Sequence, residues 1–354
     1  MGNLVPRSLL AATATLAVAG LYGGLLRVGV PLPYWTGPTE LHGLVMMQGV
    51  FGTLVPLERA VALRNPIWCS GPVLSMLATA GLLAGLPPGI ALVGYVLASL
   101  IFVGMSGYVL RLQPTAFNVA LLLGAGSLLM ASVQVLVQQG AIAGALPWWL
   151  AYLVLTISGE RLELSRLMGQ SPLAVAVFFA ASAALLLGCV GGLDESWAMM
   201  SFAAGLLAMA AWLWRHDIAR HTIRMRGQTR FMAAAILCGH GWLAVAGLLA
   251  SGAIPTAAGP DALVHAITIG FAISMILGHA LIILPAVANV RMGYTPWMFA
   301  PLALLQLAMG WRITADWLFL DWRWPSGVLT VMALAGFAAL GIGVRARAHR
   351  RSAP

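Results

Sequence analysis

Apolar segments of roughly 20 residues, the length that a bilayer core demands of a helix, recur along the whole chain. They lie near 8–30, 41–63, 67–86, 89–110, 115–136, 142–160, 172–190, 196–214, 229–250, 262–286, 297–319 and 325–344. The breaks between them are rich in Pro, Gly or Arg, as in PLPYWTGP, LPPG, GQSP, GAIPTAAGPD and DWRWPSG. This pattern predicts an all-α, polytopic membrane helix bundle of about twelve transmembrane helices. It reads as a single integral membrane domain over 1–354, ending in a basic tail at 345–354. Composition agrees: 61% of residues are hydrophobic and 8% charged, against about a quarter charged in soluble domains.

The basic residues then orient the bundle. All 19 are arginine, and they stand singly between apolar runs rather than in an aromatic-interleaved patch, so no nucleic-acid partner is expected. With the N-terminus cytoplasmic, sixteen arginines fall on the inner side and three, Arg27, Arg312 and Arg323, on the outer side. That is the positive-inside bias, and an even helix count places both termini of a multi-pass protein on the cytoplasmic side. Tyr34, Trp35, Trp148, Trp149, Trp197, Trp322 and Trp324 gather at the outer interface. The first apolar run continues to about Val30, which favours an uncleaved first helix over a signal peptide. Cys69, Cys189 and Cys238 show no CxxC spacing and read as small buried apolar residues.

Ionisable groups inside a bilayer are expensive and mark candidate sites. His42 opens the second helix, in ELHGLVMMQG, and His265 lies one turn inside the tenth. Both are expected at the outer side, at a common depth. His240 falls near the middle of the ninth helix. His279 follows His265 by 14 residues, roughly 21 Å deeper and, at 100° per residue, on nearly the same face. Asp261, four residues before His265, is placed to hydrogen-bond its second ring nitrogen, as orienting partners of ligating histidines do.

Two imidazoles at equal depth on different helices suit the axial ligation of a haem b. His42 and His265 are the candidate ligands, and Arg27 and Arg312 the candidate partners of its propionates. Asp316 at i+4 offers Arg312 a plain ion pair instead. His279 and His240 are further candidate metal ligands. Copper is conceivable, since Met46 and Met47 follow His42. His216, His221 and His349 sit in Arg-rich segments and read as solvated.

A second polar cluster closes the second and sixth helices, PLERAVALR and ISGERLELSR. Adjacent residues point apart on a helix, so Glu58 is expected to pair with Arg161 and Arg59 with Glu160. The functional version of this clamp is a proton path leading toward His279.

The stretch HAITIGFAISMILGHALIILPAV resembles the late helix of the NnrS family, bacterial membrane proteins associated with haem, copper and nitric-oxide metabolism. The early ELHGLVMM has a counterpart there, so the likeness covers two helices. A broader analogy runs to the catalytic subunits of haem-copper oxidases, with twelve helices and a haem held between the second and tenth. Those subunits also carry metal-binding histidines on the sixth and seventh helices, where this chain has none. The resemblance implies haem b, with or without copper, in electron transfer, sensing or protection against nitrogen oxides, beside membrane lipid and an electron-transfer partner.

Two other functions fit the same residues. One is a proton-coupled secondary transporter of a small solute or metal, for which inverted symmetry would speak; the echo between HGLVMMQGVFG and HAITIGFAISM is faint. The other is a cofactor-free membrane assembly factor. No catalytic residue is assigned.

Overall fold

The computed structural model describes residues 4–256, 259–288, 292–318 and 321–352. Among these there are helices and no strands. The long helices are α1 (Leu4–Arg27), α2 (His42–Ala62), α3 (Ser70–Leu83), α4 (Pro88–Leu112), α5 (Ala116–Val137) and α6 (Leu146–Ser165). They continue with α7 (Pro172–Gly191), α8 (Ser196–His216), α9 (Gly227–Ala250), α10 (Asp261–Pro285), α11 (Phe299–Trp317) and α12 (Trp324–Ser352).

Eleven helices among the described residues are long and apolar enough to cross a membrane. The remaining one, α6, is 20 residues long and carries Glu160, Arg161 and Glu163 near its end. Much of the apolar surface faces outward, including Val18, Ile90, Leu97, Leu187 and Ile342. In water such a surface would drive association; lipid covers it without cost. The molecule is a polytopic helical membrane protein.

The chain divides into two compact units. The first contains α1 to α5 and α6 as far as Tyr152; the second begins at Leu153 and holds the rest of α6 and α7 to α12. The boundary falls inside a helix whose residues Trp149 to Leu155 are all buried, so no turn or polar linker marks it in the sequence. The basic segment 345–352 prolongs α12. The side chains of 345–354 and of Arg291 lie outside the described residues.

Two helices leave α geometry soon after a histidine. In α2 the chain adopts wider π turns over Val45–Phe51, and in α10 over Ala266–Ile273. Such turns are rare and frequent at functional sites. Pro56, inside α2, contributes by removing the N–H that Gly52 would otherwise meet.

In the first unit these turns are held by a neutral hydrogen-bonded web. Ser75 donates to the Gln48 carbonyl at 2.7 Å, and Tyr152 to that of Phe51 at 2.9 Å. Gln48 Nε2 donates to Ser132 Oγ at 2.8 Å, which lies 2.8 Å from Ser99 Oγ. Ser99 donates to the Tyr95 carbonyl. Thr79 donates to the Ser75 carbonyl, so the Tyr95 hydroxyl, 3.0 Å away, donates to Thr79. All of these side chains are buried. Gly49 makes the approach possible: a Cβ there would lie 2.7 Å from Thr79 Cγ2.

In the second unit, α9 to α12 share an apolar core of Phe231, Ala235, Leu277, Met298, Leu305, Ala333 and Phe337. The α7–α8 pair closes at Gly205, where a Cβ would meet the Leu185 backbone.

Candidate functional site

The most unusual feature of the second unit is a set of ionisable side chains with almost no access to solvent. Arg161 on α6, Asp217 just after α8 and His240 on α9 are 4%, 1% and 1% exposed, and His279 on α10 joins them. Arg161 Nη2 donates to His279 Nε2 at 2.7 Å. His279 Nδ1 is 2.7 Å from the Met275 carbonyl, which can only accept. The ring is therefore neutral, with its proton on Nδ1 and its lone pair on Nε2 turned to Arg161.

Asp217 is the hinge of the array. Its Oδ1 accepts the Ala219 N–H at 2.8 Å. Its Oδ2 faces His240 Nε2 at 3.4 Å and Arg161 Nε at 3.9 Å, separations that are ion-pair contacts rather than good hydrogen bonds. Burial disfavours charge on this carboxyl. The His240 contact, Arg161 and the Ala219 N–H outweigh that and hold it below the usual carboxylate range. Asp217 Oδ2, Arg161 Nε and both ring nitrogens of His240 are buried without a hydrogen bond, as is the hydroxyl of Ser158, one turn before Arg161 on α6. Buried polar atoms are normally satisfied, so their concentration here makes this cluster the candidate site.

Asp217 is the residue that sequence reasoning missed. It sits in RHDIARHTIRMRGQTR, the longest polar connection, where the sequence assigns it no role. Its signal is that it is the one acid among five arginines. Arg161 directs its guanidinium at His279 and Asp217. His240 and His279, predicted separately, both touch this array.

The predicted outer group is also in the second unit, in part. Arg312 grips Asp261 with two prongs, Nε to Oδ2 at 3.0 Å and Nη2 to Oδ1 at 3.0 Å. His265 Nδ1 bonds the Asp261 main-chain carbonyl at 2.8 Å, with the carboxylate Oδ1 at 3.4 Å. Asp316, the expected i+4 partner of Arg312, is approached by Arg323 at 3.5 Å. The π turns of α10 correct one expectation: they advance the chain by less than 100° per residue, so His265 and His279 do not keep the helical phase of one stripe.

His42 belongs to the first unit. Its Nδ1 bonds the Gly20 carbonyl at 2.7 Å, and it packs where Gly24 has no side chain. Arg27 Nη1 reaches the Thr39 carbonyl at 3.4 Å. His42, His265 and His279 thus share one tautomer, with Nδ1–H on a carbonyl. Among the described residues, no three His, Cys, Asp or Glu side chains converge as a metal cage would require.

No curated protein and no solved structure matches the chain. A family model matches residues 6–346, so nearly all the helices just described lie within it. The chain belongs to the family described as a domain of unknown function, DUF8744.

Proposed function

We propose that the protein handles protons within the membrane, as a proton-coupled transporter of a small solute, through His279, Arg161, Asp217 and His240. The observation that carries this reading is the buried contact of Arg161 with the lone pair of a neutral His279, beside a carboxylate 3.9 Å away. A proton arriving at His279 Nε2 removes the acceptor and places two cations together. Arg161 is then drawn to Asp217 Oδ2, which lacks a full partner. Loss of the proton restores the first arrangement. Two arrangements of one guanidinium couple protonation to a movement at the end of α6, which is what transport requires. The positive-inside bias supports a cytoplasmic position for this end of the second unit, in keeping with a bacterial inner-membrane protein.

The test is proton flux into proteoliposomes that contain a trapped pH dye, driven by an imposed potential. Flux above that of empty vesicles is expected in the native protein and is lost in His279→Gln and Asp217→Asn. Native protein indistinguishable from empty vesicles overturns the reading.

The second reading is a haem b protein, with or without copper, acting in nitrogen-oxide metabolism with an electron-transfer partner. The shared tautomer favours it, since ligating histidines typically hold their other ring N–H on a carbonyl or carboxylate. The imidazoles of His42 and His265 fit such a role. The arginines fit less well, because Arg312 is committed to Asp261 and Arg27 to a carbonyl. A reduced-minus-oxidised spectrum with b-type bands that His265→Ala abolishes would carry this reading. No bands after expression in a haem-sufficient host would end it.

A further inference from the structure

The connection between α8 and α9, with the helix ends that flank it, carries Arg215, Arg220, Arg224, Arg226 and Arg230 within 16 residues. Its one acid, Asp217, is buried and turned into the array. Arg215, Arg224, Arg226 and Arg230 are exposed. Arg220 donates to the Arg215 carbonyl at 2.6 Å. Among the described residues, none of these five forms an ion pair with a carboxylate. Trp214 and Met225, in the same segment, are 57% and 58% exposed.

So many cations on one short segment repel one another unless anions gather there. At a membrane surface the abundant anions are lipid phosphates. We infer that this connection is a docking site for anionic phospholipid headgroups. Guanidinium groups pair phosphate oxygens in a two-pronged geometry that ammonium groups cannot match. Trp214 and Met225 supply what a soluble phosphate site would lack: an exposed ring and thioether beside the arginines, suited to the boundary between headgroups and acyl chains. Asp217 shares the segment and is tied to it through the Ala219 N–H, so an occupied loop steadies the buried carboxylate as well. The inference itself rests on the membrane-spanning fold and not on proton transfer.

The experiment uses the full-length protein in detergent, with phosphatidylglycerol or phosphatidylcholine of the same acyl chains added in turn. Bound lipid is counted by native mass spectrometry, and melting is followed in parallel. Phosphatidylglycerol should be retained and raise the melting temperature; phosphatidylcholine and inorganic phosphate should not. Each arginine near a membrane surface contributes roughly a fivefold step in affinity, so the R224Q/R226Q/R230Q variant should lose on the order of a hundredfold. Should that variant fail to fold, R224Q alone and reversal in about 0.5 M salt, where screening is short-ranged, make the same test. Equal retention of both lipids, or undiminished preference in the variants, overturns the inference. So does stabilisation by a short single-stranded RNA but not by phosphatidylglycerol, which would assign the arginines to a soluble polyanion.

Discussion

The neutral web around the π turns of α2 and the charged array around His279 answer the same difficulty differently. Both bury polar side chains inside apolar helices. In the web every donor finds an acceptor: Gln48 to Ser132, Ser99 to the Tyr95 carbonyl, the Tyr95 hydroxyl to Thr79, Ser75 to the Gln48 carbonyl. In the array Asp217 Oδ2, Arg161 Nε and His240 are left with contacts of 3.4 to 3.9 Å or none. A satisfied network fixes one packing. An incompletely satisfied one stores free energy that a proton or a movement can release. The first region is therefore read as scaffold and the second as site.

The comparison breaks most readily at Asp217. Replacing it by Leu leaves Arg161 buried without its carboxylate, which should cost about 3–5 kcal/mol in a denaturant or thermal titration of the detergent-solubilised protein. A loss no greater than that of variants in the web would mean that the array is not under electrostatic tension. Gln48→Leu should cost about 1–3 kcal/mol by stranding Ser132 and its neighbours, while proton flux per folded molecule stays unchanged. If flux falls with it, the web is part of the site. Tyr95→Phe removes one donated hydrogen bond and should cost about 0.5–1.5 kcal/mol, measured in the same way.

The most gradual effect is acid sensitivity. Asp217 is held below the ordinary carboxylate range. Its contribution is complete above about pH 5, where the unfolded-state carboxyl is ionised, and fades as pH falls through the lower folded-state value. The melting temperature of Asp217→Asn should therefore decline less between neutral pH and about pH 3 than that of the native protein. Parallel declines would show that the carboxylate is not specially stabilised.

Individual residues show where sequence reasoning succeeds and stops. All twelve helices lie close to their expected positions, because a bilayer imposes a minimum apolar length that reads directly from the chain. His279, His240 and Arg161 stand out as costly groups in apolar segments, and Asp261 was placed beside His265 by its i+4 spacing. Asp217 was missed because an acid in an arginine-rich connection looks solvated until the loop folds inward. The π turns were missed because no local pattern in HGLVMMQGVF or HAITIGFAI demands an i+5 bond.

Solvent, helix number and the candidate polar residues follow from the sequence by itself, since the penalty for placing a charge or an unpaired backbone in lipid depends on each residue and its near neighbours. Only the tertiary structure decided which polar groups meet. Arg161 and His279 stand 118 residues apart, and Asp217 enters the interior only because α6, α8, α9 and α10 leave it a polar place to go. Such encounters depend on how whole helices pack, and no window of local sequence carries that information.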